Sequence, residues 1–170
     1  MSTSEKPYHH GDLRAALLDA ADTLLDQGGD GAVSLREVAR MAGVSPTAAY
    51  RHFADKEALL AALAARHFEQ FGAALGGRPL AEMGPAYLRF ALARPGRFRL
   101  MFGPLLQRSK QHPPLAQASD AALAGLYAAA PSPDAALRAW GLVHGLAHLM
   151  LDGALPAEEG LITRLLNPPG

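Results

Sequence analysis

The sequence predicts an all-α chain: an N-terminal three-helix helix-turn-helix domain, then a helical C-terminal domain, about nine helices in all. Three observations predict it. Ala and Leu dominate a composition that is 49% hydrophobic, which suits helices. No run of alternating apolar and polar residues marks a strand. The stretch 34–53, SLREVARMAGVSPTAAYRHF, reads as two short helices joined by a tight turn. The domain boundary is expected between residues 55 and 56, giving units 1–55 and 56–170.

Residues 1–8 read as a tail, with His9 or His10 near the start of structure. A helix over about 10–27 places Leu13, Leu17, Ala20 and Leu24 on one side. Ser34 caps the next helix, and Glu37 three residues on completes a capping box. Leu35, Val38 and Ala39 form its apolar face. Ala42-Gly43-Val44 is the turn, where Gly43 tolerates a left-handed backbone. Ser45 caps the third helix, and Pro46 takes its first position, where no N–H is missed. Ala49 and Phe53 point inward; Thr47, Ala48, Tyr50, Arg51 and His52 are left outside.

The remaining elements follow from prolines, glycines and periodicity. A helix over 56–75 ends at Gly76-Gly77. One over 80–93 is broken by Pro95-Gly96. A short helix carries Phe98, Leu100, Met101 and Phe102, and 103–114 reads as a loop. Helices follow over about 115–130, 133–152 with Ser132 as cap, and 157–167, where Pro168-Pro169 stops the last.

The outward set 47–52 suits a DNA major groove. A Thr hydroxyl and an Ala methyl reach base edges, and Tyr, Arg and His reach phosphates. By spacing alone, an ordinary surface hairpin of two helices stays equally open. Charge pulls against DNA: the first 57 residues set Lys6, Arg14, Arg36, Arg40, Arg51 and Lys56 against nine acids. The acids gather on the first helix (Asp12, Asp19, Asp22, Asp26) and the following loop (Asp30). The expectation is a dipolar unit with modest, salt-sensitive non-specific affinity.

The N-terminal residues HHGDLRAALLDAADTLLDQGGDGAVSLREVARMAGVSPTAAYRHFADKEALLAA resemble the DNA-binding domain of the TetR/AcrR family of bacterial repressors. Carrying the resemblance are Gly28 or Gly29, Ser34, Ala42 to Ser45, Tyr50, His52, Phe53, Lys56, Glu57 and Leu59. Ala49 departs from the pattern, since many members carry a larger aliphatic residue there. The resemblance implies that the third helix reads DNA: Thr47 and Ala48 face bases, Tyr50, Arg51 and His52 the backbone, and Lys56 and Arg36 phosphates. Ser34, Ser45 and Pro46, which start the two helices, complete the expected interface. Asp55 caps the helix that begins at Lys56, whose first-turn N–H groups attract anions.

Helix 133–152 is apolar around most of its circumference from Ala139, so it must be buried on more than one side. Mid-helix Gly141 and Gly145 each cost about 0.5–1 kcal/mol relative to Ala, which points to close approach by another backbone. Helix 157–167 carries Leu161, Ile162, Leu165 and Leu166 as one stripe. Two copies of these helices would form a four-helix bundle about a two-fold axis, with a homodimer on an inverted-repeat operator of double-stranded DNA. Trp140, His144 and Gly145 resemble a TetR subgroup named for a Trp-His-Gly C-terminal domain.

Leu63, His67, Phe71, Tyr87, Phe90, Phe98, Met101, Phe102, Leu123, Tyr127, Trp140 and His144 are read either as plain core or as a pocket for a small-molecule effector, which the family resemblance implies. The effector would release DNA by favouring a conformer unsuited to the half-site spacing, with helix 56–75 as the lever. His144, His148 and Asp152 have metal-ligand spacing, or serve as hydrogen-bonded residues of a buried face; no metal or cofactor is expected. Arg89, Arg94, Arg97, Arg99, Arg108 and Lys110 lie in a stretch without acids, 84–118, which reads as a solvated face or a lure for an anionic effector.

No nucleophile pattern, paired carboxylate or phosphate loop argues for an enzyme. The chain has no cysteine and no charged-then-apolar leader. Its longest uncharged apolar stretch of interest, 139–151, is too short to span a bilayer, and the expected location is the cytoplasm. The reading is a homodimeric, ligand-responsive repressor. The alternatives are a small-molecule sequestering protein with a vestigial DNA-binding domain, and a metal-dependent enzyme on an all-α scaffold.

Overall fold

The structure, a computed structural model, describes residues 13–166. The expected tail, the His9 or His10 start and the Pro168-Pro169 stop lie outside the described residues. Ten α-helices follow one another: α1 (Leu13–Ala32), α2 (Leu35–Met41), α3 (Pro46–Tyr50), α4 (Lys56–Leu75), α5 (Leu80–Ala93), α6 (Pro95–Met101), α7 (Pro104–Gln107), α8 (Pro113–Ala129), α9 (Pro133–Leu151) and α10 (Glu159–Leu166). A 3-10 turn, Ser109–Gln111, separates α7 from α8. No strand occurs among the described residues. The nine expected helices are present; the additional one is α7, a single turn inside the stretch 103–114 that reads as loop in the sequence. Pro104 starts that turn, and the buried Leu105 anchors it.

The described residues form two compact units that divide between Leu63 and Ala64, inside α4. The expected boundary at 55/56 instead coincides with the start of that helix. In the first unit, Leu17, Leu25, Val38, Ala39, Ala49, Phe53 and Leu59 form the core, all 3% exposed or less. Gly28 and Gly29 leave helical geometry, Gly29 at φ +69°. The continuous part of α1 therefore ends near Gln27, as its periodicity indicates.

The second unit starts helix after helix on a proline: Pro95, Pro104, Pro113 and Pro133 occupy the first turns of α6, α7, α8 and α9. A fixed φ and a missing N–H cost nothing there. Phe98, Leu88, Met101 and Leu115 are buried at its centre, each contributing about 1.5–3 kcal/mol relative to exposure. α5 packs on α9 and α10, and α8 packs on α9. No helix among the described residues is long and apolar enough to cross a membrane.

Candidate nucleic-acid interface and ligand cavity

The first unit builds its outer face by local hydrogen bonding. Ser34 Oγ accepts from Glu37 N at 3.2 Å, and Ser45 Oγ accepts from Ala48 N at 3.2 Å. Gly43, at φ +71°, closes α2: its N–H donates to Arg40 O at 3.2 Å and Val44 N–H donates to Ala39 O at 3.0 Å. These are the two bonds of a Schellman turn. The expected capping box forms only in half. The Glu37 carboxylate turns away from the Ser34 backbone to accept from Arg40 Nε and Nη2 at 2.9 and 2.8 Å, because a guanidinium one turn on offers two charged donors against one neutral N–H.

The turn fixes α3 so that Ala49 is wholly buried and Phe53 nearly so, while Tyr50 stays 50% exposed. Arg36, Thr47, Arg51 and His52 are exposed, and Ala48 is half-buried. Ser45 and Pro46 are exposed at the start of α3, and Ser34 is half-buried at the start of α2. Thr47 and Tyr50 on α3, with Arg51 and His52 in the turn that follows it, can enter a groove and contact phosphates. Asp55 Oδ1 accepts from Ala58 N at 2.8 Å, capping α4 as expected. Lys56 donates from Nζ to Asp30 O at 2.6 Å, so it also fastens the α1–α2 connection to the start of α4. Arg14 lies over the Phe53 ring, 5.3 Å from its centre.

The second unit holds a cavity of about 400 Å³, within the usual range for small-molecule sites. Of the expected pocket residues, Phe71, Tyr87, Phe102, Leu123 and Trp140 line it. Leu63, Phe98, Met101 and His67 are fully buried away from its lining, and Phe90, Tyr127 and His144 do not reach it either. Phe90 instead packs edge-on against Phe71 at 5.1 Å, and Tyr127 is on the outer surface of α8. Phe68, Leu75, Leu80, Met83, Leu106, Ser109, Ser119, Asp120, Leu126 and Leu166 also line the cavity and escape the sequence reading. Ser119, Ala122, Leu123 and Leu126 share one face of α8 at i, i+3, i+4 and i+7, a signal an aromatic-led search passes over.

A hydrogen-bonded pair stands in the wall. The Tyr87 hydroxyl lies 2.7 Å from His144 Nδ1, with the Trp140 indole beside it. Burial pushes the Tyr87 hydroxyl well above its ordinary range, so it stays neutral. Burial, with the neighbouring His148, holds the His144 imidazole below its ordinary value, which keeps Nδ1 free to accept.

His144, His148 and Asp152 do not converge. Among the described residues no three His, Cys, Asp or Glu side chains are placed to hold a metal. His148 packs against the Phe98 ring, and Asp152 accepts from Arg99 at 2.9 Å. The basic stretch is likewise partly engaged, with Arg89 paired to Glu159 and Arg99 to Asp152.

Two family models match this chain. "Bacterial regulatory proteins, tetR family" matches residues 17–63, and "Tetracyclin repressor-like, C-terminal domain" matches 80–166, just over half of the 170 residues. The chain belongs to the TetR family of transcriptional regulators. The first model covers the helix-turn-helix, and the second covers almost the entire lining of the cavity. Within the family, the HTH-type transcriptional regulator BetI of Rhizobium meliloti (strain 1021) is 49% identical over 49 residues. That stretch is 29% of this chain and 24% of BetI. A solved protein of unknown function from Rhodococcus sp. RHA1 is 31% identical with a TM-score of 0.75, covering 95% of this chain and 93% of that one. The multidrug binding protein EbrR, complexed with ethidium, shares the fold at 23% identity and a TM-score of 0.67, covering 92% of this chain and 99% of that one.

Proposed function

We propose that this TetR-family regulator is a homodimeric repressor, released from an inverted-repeat operator by a small molecule bound in the cavity of the second unit. The observation that carries the reading is the pairing, in one chain, of an exposed α3 face with a largely apolar cavity. Thr47 and Ala48 would read base edges, and Tyr50, Arg51, His52, Arg36 and Lys56 would set register on the backbone. EbrR, of the same fold, is a multidrug binding protein, which supports a ligand in the corresponding unit here.

The dimer reading rests on α9 and α10. Leu137, Leu142 and Leu149 stay 45–51% exposed, and Leu165 37%. A side chain added at Gly141 or Gly145 would meet nothing within this chain. Exposed leucines at this density are costly to leave in water, and a second copy would cover them about a two-fold axis. Trp140, His144 and Gly145 support kinship with the Trp-His-Gly subgroup, and the proposed location is the cytoplasm.

Release requires the effector to bind one conformer more tightly than another. Selection of bound sequences from a random DNA pool at two salt concentrations tests the reading. An inverted repeat whose binding weakens steeply with salt is the expected result. Recovery of no motif would sink it and favour a sequestering protein.

A further inference from the structure

Five rings line the cavity: Phe68, Phe71, Tyr87, Phe102 and Trp140. The lining includes no Lys, Arg or His, and its single acidic side chain is Asp120. The neutral Tyr87 hydroxyl is already engaged by His144, so it adds no charge. Asp120 is exposed as well as part of the lining, which places it where the cavity opens to solvent. No ion pair among the described residues takes up its carboxylate. Meanwhile Arg89 and Arg99 are paired with Glu159 and Asp152, and neither lines the cavity.

An anion entering this cavity would lose its hydration and meet a like charge at the mouth, with no donor side chain of opposite charge to replace water. A cation meets the reverse: a carboxylate at the mouth and ring quadrupoles along the walls. The charge is drawn to Asp120 at the mouth, while the apolar body buries against the rings and against Leu123, Leu126 and Val143.

We propose that the cavity takes a hydrophobic organic monocation, its amine or quaternary nitrogen at Asp120 and its apolar body against the aromatic wall. This rests on the reading of the cavity as an effector site. The chain contains a single tryptophan, and because Trp140 lines the cavity its emission reports occupancy directly. The test uses the full chain and three probes of one hydrocarbon body: phenylbutyl-trimethylammonium, phenylbutanol and phenylbutanoate.

The cation is expected to bind about five- to ten-fold more tightly than the alcohol, and the carboxylate most weakly. Asp120→Asn should bring the cation close to the alcohol while leaving the alcohol's own affinity unchanged. Equal binding of alcohol and cation to the parent protein would overturn the charge preference and leave the ligand cavity standing. Tightest binding by the carboxylate, or a cation preference that survives Asp120→Asn, would also overturn it. Silence of Trp140 towards all three probes would overturn both this inference and the effector reading beneath it.

Discussion

The two units use the same helices towards opposite ends. In the first, short helices are held by Ser34, Ser45, Asp55 and the Gly43 turn, every bond within a few residues. The core side chains Ala49 and Phe53 are sealed directly beneath the outward α3 face. In the second, helices stand apart around open volume, and a polar link joins Tyr87 to His144 across 57 positions. A surface that must match a fixed ligand such as DNA is built from local geometry. The cavity, which we propose as an effector site, is built from long-range packing that leaves a gap.

The comparison breaks most severely at Phe53. Phe53→Ala removes a ring that is 3% exposed and is expected to cost about 3–5 kcal/mol. Hydrogen exchange should show protection lost in α1–α3, while the unfolding midpoint reported by Trp140 holds. A parallel collapse at Trp140 would mean that the units do not keep separate stabilities.

Tyr50→Ala sharpens the contrast between geometry and contact. Because Tyr50 is half exposed, stability should change by no more than about 0.5 kcal/mol. Operator binding should weaken by about 1.5–3 kcal/mol, the worth of a hydrogen bond to a charged group, as read by titration of the selected operator. Unchanged affinity would remove Tyr50 from the interface.

Tyr87→Phe acts on the other unit. It leaves His144 Nδ1 without its hydroxyl partner, at an expected cost of about 1–3 kcal/mol in chemical denaturation followed by Trp140 emission. DNA affinity in the absence of effector should be retained. Ser45→Ala is milder: loss of the α3 cap is expected to cost about 1 kcal/mol, seen as a lower melting temperature and faster exchange at Ala48.

The smallest effect is a pH dependence. His144 titrates below its ordinary 6.5 in the folded chain, through burial and then His148, so the unfolded chain takes up the proton first. The stability from keeping this ring neutral is full above 6.5 and is lost as pH falls from there through the lower folded value. His144→Gln keeps an acceptor for Tyr87 and should flatten that part of the profile. An unaltered profile would assign it to another group.

Much of the fold was legible because its signals are short-range. Ser34, Ser45, Asp55 and Ser132 each cap the helix expected of them, and α4 and α5 match their expected ranges, 56–75 and 80–93. An N-cap or a proline acts within one turn of its own position, so composition and spacing decide it. The α3 face was legible for the same reason: periodicity alone separates Ala49 and Phe53 from Tyr50 and Arg51.

Tertiary structure decided the rest. Lys56 found the Asp30 carbonyl 26 positions away. Phe71 and Phe98 looked alike in sequence, yet one lines the cavity and the other is sealed in the core. Asp120 and Leu166 became cavity residues only because α8 and α10 both reach the same cavity. Whether a helical side chain faces core, cavity or water depends on which helix packs beside it, and no short-range rule of periodicity or capping carries that information.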